Sequence, residues 1–174
     1  MKPLIVVDMQ NDFSDGALGT PEAQAIVPKV KKKIEEYAGR GDKIIFTMDT
    51  HDHDYFETQE GRKLPVKHCV RGTKGWDIHD SLYRHVMYED NGLISKGSFG
   101  YVSWAHWDDV LTGPIELVGL CTDICVVSNA LILKANFPEI EITVDASCCA
   151  GTTPENHKAA LQVMKCCQIN VVGE

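Results

Sequence analysis

Leu117-Val118-Gly119-Leu120-Cys121-Thr122-Asp123-Ile124-Cys125-Val126-Val127-Ser128 is the stretch on which the fold turns. The apolar run that begins at Ile115 stops at Leu120, and a short, tight segment follows. Val126, Val127, Ala130, Leu131 and Leu133 then recur at helical spacing. This pattern predicts a buried strand, a sharp turn and a helix spanning 123–135 whose first turn carries Cys125. A helix start presents free backbone N–H groups and the positive end of a dipole, which favour a thiolate over a thiol. Cys125 is therefore placed to act as a nucleophile, with the N–H groups of Cys121 and Cys125 placed to hold an oxyanion. A buried thiol serving as a small apolar filler is the competing reading, and position alone leaves both open.

The same alternation extends in both directions. Pro3-Leu4-Ile5-Val6-Val7 is a short, continuous apolar run, the mark of a strand covered on both faces, and it ends at Asp8. Thr20-Pro21-Glu22 supplies an N-cap, a proline at the first helical position and an acidic first turn. The helix it opens keeps Ile26, Val30, Ile34, Tyr37 and Ala38 on one side and stops at Gly39. Lys43 to Met48 reads as the second buried strand, ending at Asp49. His85 to Tyr88 reads as a short strand, Gly92 to Lys96 leads into a glycine turn, and Ser103 to Leu111 reads as a helix. A strand from Ile140 to Val144, a helix over 154–166 opened by a second Thr-Pro-Glu signature, and a strand from Ile169 to Val172 complete the chain. Alternating strands and helices predict right-handed crossovers and a mainly parallel sheet in a three-layer α/β/α, Rossmann-like sandwich, organised as a single domain over residues 1–174.

Totals exclude several function classes. The formal net charge is -8, and the only basic cluster, Lys29 to Lys33, lies on the solvated face of an amphipathic helix, which argues against nucleic acid. No apolar stretch approaches a membrane span, and Met1-Lys2-Pro3 runs directly into a core strand, as in a protein without a signal peptide. The cysteine count of 7 is odd and includes the adjacent pairs Cys148-Cys149 and Cys166-Cys167, which predicts reduced thiols and a cytoplasmic protein.

In parallel sheets ligands bind beyond the carboxyl ends of the strands. Asp8, Asp49, Lys96 and the Cys121–Cys125 turn all follow predicted strand ends, so they are expected to share one edge. A thiol near neutral pH needs a base or a cation to become an effective nucleophile. Asp8 is the candidate base, and the acid for a leaving amine; Lys96 is the candidate cation. Asp49, His51 and His68 form a second set, since two imidazoles and a carboxylate are a common open shell for a divalent metal. His53, Asp52 and Asp54 are candidates for a further ligand. The long irregular segment from Thr50 to Leu82 that carries these residues is the kind usually kept for function.

Val6-Val7-Asp8-Met9-Gln10-Asn11-Asp12-Phe13, Asp49-Thr50-His51, His68-Cys69-Val70-Arg71-Gly72-Thr73, Lys96-Gly97 and Val118 to Val126 together resemble the isochorismatase-like cysteine hydrolases, and among them the nicotinamidases. The resemblance spans nearly the whole chain in the right order. It implies that Asp8, Lys96 and Cys125 are a catalytic triad and that Asp49, His51 and His68 bind zinc, manganese or iron. It further implies a cis peptide between Leu120 and Cys121, and hydrolysis of a small carboxamide, nicotinamide to nicotinate and ammonia, through a thioester. A tryptophan that commonly precedes the second histidine is replaced here by Leu64-Pro65-Val66-Lys67, leaving Phe13, Leu64, Tyr101 and Leu120 as candidate pocket residues. Tyr55, Phe56 and Phe99 are further candidates for the aromatic wall. A sister hydrolase acting on another amide or carbamoyl compound, and a non-catalytic metal- or thiol-responsive protein, are the alternatives. A homo-oligomer is expected.

Overall fold

The computed structural model describes residues 2–86 and 92–174. At its centre lies β1 (Leu4–Val7), with all four side chains withdrawn from solvent. Leu4 and Val6 pack into one apolar layer, Ile5 and Val7 into the other, which is why the strand reads as an unbroken apolar run. A single turn, α1 (Asn11–Ser14), precedes α2 (Pro21–Gly39). Thr20 caps α2 by accepting the Ala23 N–H at 3.0 Å, and Ile26, Val30, Ile34 and Tyr37 form its buried stripe. After β2 (Ile44–Asp49) come a 3₁₀ turn at Tyr55–Glu57, α3 (Gln59–Lys63) and α4 (Asp80–Val86). β3 (Gly92–Lys96), a 3₁₀ turn at Trp104–Trp107 and β4 (Ile115–Leu120) follow. A π-helical turn at Thr122–Val126 leads into α5 (Val127–Asn136), and β5 (Ile142–Ala150), α6 (Pro154–Cys166) and β6 (Asn170–Val172) close the chain.

The strands lie in the order β3-β2-β1-β4-β5-β6, every neighbouring pair parallel. The apolar face of α2, with Ile78 and Leu82, covers one side of the sheet; α5, α6 and Trp104 cover the other. This is the expected α/β/α sandwich. Strand order reverses between β1 and β4, the point where such sheets open a ligand crevice. Asp8 leaves β1 there, and Cys121 leaves β4 beside it. The strands approach closely at this point: Gly119 has φ +121°, and a Cβ on it would stand 2.1 Å from the Val7 carbonyl oxygen. Only glycine fits.

Four boundaries differ from the sequence expectation. His85 and Val86 belong to α4, not to a strand, because Ile78, Leu82 and Val86 recur every four residues and present one apolar face to the core; Met87 and Tyr88 lie outside the described residues. The expected helix over Ser103 to Leu111 is a single 3₁₀ turn that wedges Trp104 edge-on between Tyr101 and Trp107, at 5.1 and 6.0 Å. β5 runs on to Ala150; the polar Asp145 and Ser147 interrupt its apolar pattern because they bond each other and Lys33 rather than solvent. Finally, Cys125 sits in the π-helical turn ahead of α5. Such turns recur where backbone must be re-aimed at a functional site.

Candidate active site

Asp8 takes the left-handed conformation, φ +46°, immediately after β1, and this turns its fully buried carboxylate toward the neighbouring strand ends. Thr47, from β2, donates its hydroxyl to Asp8 Oδ1 at 2.6 Å. Lys96, the last residue of β3, places Nζ 2.6 Å from Asp8 Oδ2, 3.6 Å from Cys125 Sγ and 3.7 Å from Asp49 Oδ1. The Ser98 carbonyl accepts a further hydrogen bond from the same ammonium at 3.1 Å. Residues from positions 8, 96 and 125 thus converge on one buried cluster.

Burial raises Asp8 above its ordinary value despite the Lys96 ammonium. Lys96 is penalised by burial, but Asp8, with Cys125 and Asp49, outweighs that and raises it above its ordinary value. For Cys125, burial and then the Asp8 charge push the thiol well up, and Lys96 offsets only part of this. Burial and the Asp8 charge thus oppose the preference for thiolate expected of a helix start. In a pocket with one cation and two carboxylates close by, the surroundings work against the sulfur anion, and the thiol has a buried base beside it.

The second set is equally buried. Asp49 Oδ2 lies 2.9 Å from His51 Nε2 and 3.6 Å from His68 Nε2. The His68 ring is oriented through Nδ1, 2.8 Å from the Val66 carbonyl, so Nδ1 carries the proton and Nε2 keeps its lone pair for the centre. His51 Nε2 is buried and lacks a well-directed hydrogen bond. Sequence reasoning missed Glu60, on α3, whose carboxylate lies 3.6 Å from His51 Nε2 and 3.7 Å from His68 Nε2. The four donors Asp49, His51, Glu60 and His68 lie within 4.8 Å of one another. Two imidazole nitrogens, two carboxylates and an unsatisfied buried nitrogen are a donor set suited to a divalent metal. The alternatives His53, Asp52 and Asp54 are exposed; Asp52 faces Arg71 at 3.7 Å instead. Nothing in the local sequence distinguishes Glu60 from its neighbours; Thr58 brings it inward by capping α3 through the Gly61 N–H.

Two residues brace the sets. Gln10 ties the Asp49 backbone to the Trp76 segment, donating Nε2 to the Asp49 and Trp76 carbonyls and accepting the Asp49 N–H, each at 2.7–2.8 Å. Asp12 accepts the Cys69 N–H at 2.8 Å and so anchors the segment carrying His68. A cavity of about 510 Å³ opens beside them, lined by Cys121, Cys125, Asp49, Glu60 and His68, with apolar walls from Phe13, Leu18, Leu64, Phe99 and Ile124. Phe13 and Leu64 hold the positions expected of them, and Phe99 supplies the second aromatic wall. Tyr101 and Leu120 do not line the cavity: Tyr101 packs its ring on Trp104, and Leu120 is fully buried in the core. Tyr55 lies behind the ligand set, its ring edge-on to His51 and His68, and Phe56 is exposed. The Leu120–Cys121 peptide is cis, as the resemblance implies.

The isochorismatase-domain family matches residues 2–173. The chain belongs to that family. An isochorismatase-family protein of Bacillus subtilis is 30% identical, the match covering 92% of each chain. The nicotinamidase/pyrazinamidase of Mycobacterium tuberculosis is 28% identical, with 99% of this chain and 98% of the relative covered. Among solved structures, the zinc complex of the Pyrococcus horikoshii pyrazinamidase superposes with a TM-score of 0.83 at 30% identity, over 99% of both chains. In this isochorismatase-family chain Cys125 stands at the reversal of strand order, where Asp8 and Lys96 meet it.

Proposed function

We propose that the protein hydrolyses nicotinamide to nicotinate and ammonia through a thioester on Cys125, with Asp8 and Lys96 completing a catalytic triad. The observation that carries the reading is the Lys96 ammonium, 2.6 Å from a buried carboxylate and 3.6 Å from a buried thiol. An isolated buried thiol used for packing has no need of either neighbour. The names of the family relatives supply the substrate class.

In this reading Asp8 takes the Cys125 proton as sulfur attacks the carboxamide carbon. Negative charge moves to the amide oxygen, where the N–H groups of Cys121 and Cys125 receive it. Collapse of the tetrahedral adduct breaks the C–N bond, and Asp8 returns the proton so that ammonia leaves neutral. Water then attacks the thioester, Asp8 takes its proton, and the released thiolate recovers a proton from Asp8. Lys96 stays charged throughout and stabilises the sulfur anion whenever it forms. A divalent metal bound by Asp49, His51, Glu60 and His68 would supply a Lewis acid beside the pocket, able to hold a ring nitrogen of the substrate. Phe13 and Phe99 offer ring faces for a flat heteroaromatic substrate.

Nicotinamide turnover by the wild type and by Cys125→Ala, with metal content measured in both, tests the reading. Turnover is expected in the first and abolished in the second, with the metal retained. Activity surviving the substitution would remove the thioester. All seven cysteines are free thiols, which supports a reducing, cytoplasmic setting. Among the described residues no helix is long and apolar enough to cross a membrane.

A further inference from the structure

Lys96 and Cys125 are held at 3.6 Å, yet the sheet does not fix their spacing. Lys96 ends β3 and Cys125 follows β4, and β2 and β1 lie between them. Three strand intervals of ~4.8 Å separate the two backbones by about 14 Å. The Lys96 side chain reaches into this gap, and the loop after it, which holds the ammonium through the Ser98 carbonyl, packs on α5. One side chain joins the two sides: Asn129, on the first turn of α5 and fully buried.

All four hydrogen-bonding positions of the Asn129 amide are used. Nδ2 donates to the Cys125 carbonyl at 2.8 Å and to the Phe99 carbonyl at 3.3 Å. Oδ1 accepts the Tyr101 N–H at 2.9 Å and the Trp104 indole N–H at 2.8 Å. The same loop holds the lysine, since Lys96 Nζ donates to the Ser98 carbonyl and Ser98 Oγ to the Gly100 carbonyl. Gly100 lies flat on α5, where a Cβ would meet Ile132 Cδ1 at 2.4 Å and Ser128 at 3.3 Å. A chain of contacts therefore runs from the ammonium through the loop and Asn129 to the backbone of the nucleophile.

We propose that Asn129 is a positioning residue for the hydrolysis, its one buried amide docking the Lys96–Tyr101 loop on the Cys125 turn and so setting the spacing of cation and sulfur and the placement of the Phe99 wall. The proposal rests on the reading of Cys125 as nucleophile and Lys96 as its partner. An asparagine inside a helix otherwise lowers helix propensity, and a bond to the carbonyl four residues back alone does not require an amide with two further acceptor contacts. Asn129 does not itself line the cavity and is not among the candidate metal donors; it acts on the site through the backbones of Cys125 and Phe99.

The test is a double-mutant cycle of Asn129→Leu and Lys96→Met, read by nicotinamide kinetics and by the iodoacetamide alkylation rate of Cys125 followed by peptide mass spectrometry. Asn129→Leu is expected to lower kcat by roughly a hundredfold with a much smaller change in KM, the size of loss that an ångström-scale misplacement causes. Alkylation of Cys125 is expected to slow toward the Lys96→Met rate, and Asn129→Leu added to Lys96→Met to change it by less than about twofold. A kcat within about threefold of wild type in the folded variant, or equal effects in both backgrounds, overturns the proposal. If the leucine variant does not fold, Asn129→Ser is read the same way. If the wild type leaves nicotinamide untouched, the proposed reaction fails, while the alkylation cycle still decides the role of Asn129.

Discussion

Replacing Lys96 by methionine keeps most of the stem volume and removes the charge, so its consequences follow from two distances. At 3.6 Å and an effective dielectric of about 20, an ammonium stabilises a sulfur anion by about 5 kcal/mol. The side chain is 1% exposed, so no solvent discount applies. About 1.4 kcal/mol per decade converts this to at most about three and a half powers of ten in thiolate population. Asp8, relieved of its cation at 2.6 Å, becomes a stronger base and returns part of the loss. The expected kcat for nicotinamide is therefore about 10²–10³-fold below wild type. Folding suffers as well, because removing one member of a buried pair costs about 3–5 kcal/mol. Urea melts and an ammonia-release assay, run at equal metal content and below the variant's melting temperature, measure both effects. A kcat within about tenfold of wild type would refute the electrostatic argument.

Three further outcomes are expected. Glu60→Ala should weaken zinc binding to the metal-stripped protein by at least about tenfold in titration calorimetry; unchanged affinity removes Glu60 from the donor set. Gly119→Ala should prevent folding or lower the melting temperature sharply, since its Cβ would overlap the Val7 carbonyl in a backbone conformation that alanine avoids; a melt like wild type would contradict the close approach of β1 and β4. At the far end of the sheet Glu116 accepts Lys33, Tyr37 and Lys2 at 2.5–2.9 Å, and Lys33 also pairs with Asp145 at 2.7 Å. Burial pushes both carboxyls up, but Lys33, together with Tyr37 and Lys2 at Glu116 and Ser147 at Asp145, outweighs it and holds them below the usual range. A depressed folded value gives stability that is complete above the unfolded value of ~4 and lost as pH falls through the folded one. Glu116→Gln should therefore flatten the acid limb of the stability–pH curve, and an unchanged slope would count against the network.

Much of this molecule was legible from one dimension. Continuous apolar runs such as Leu4–Val7 and Ile115–Leu120 are diagnostic because strands covered on both faces have no polar side to show. The two Thr-Pro-Glu signatures located α2 and α6 because capping is local chemistry. Readings failed where a long-range partner overruled the local pattern. Lys33 draws Asp145 into a strand, Asn129 holds Trp104 in a 3₁₀ turn, and the core recruits Leu82 and Val86 to a helix.

The sequence alone determined that acid, lysine and cysteine follow three strand ends of a parallel sheet, because hydrophobic periodicity and capping are encoded within a few residues. Only the tertiary structure decided that Glu60 rather than His53 joins the candidate metal donors, that Phe99 rather than Tyr101 walls the pocket, and that burial pushes the Cys125 thiol up. Those outcomes depend on which side chains meet across the fold and how much water is excluded between them, and neither quantity is carried by spacing along the chain.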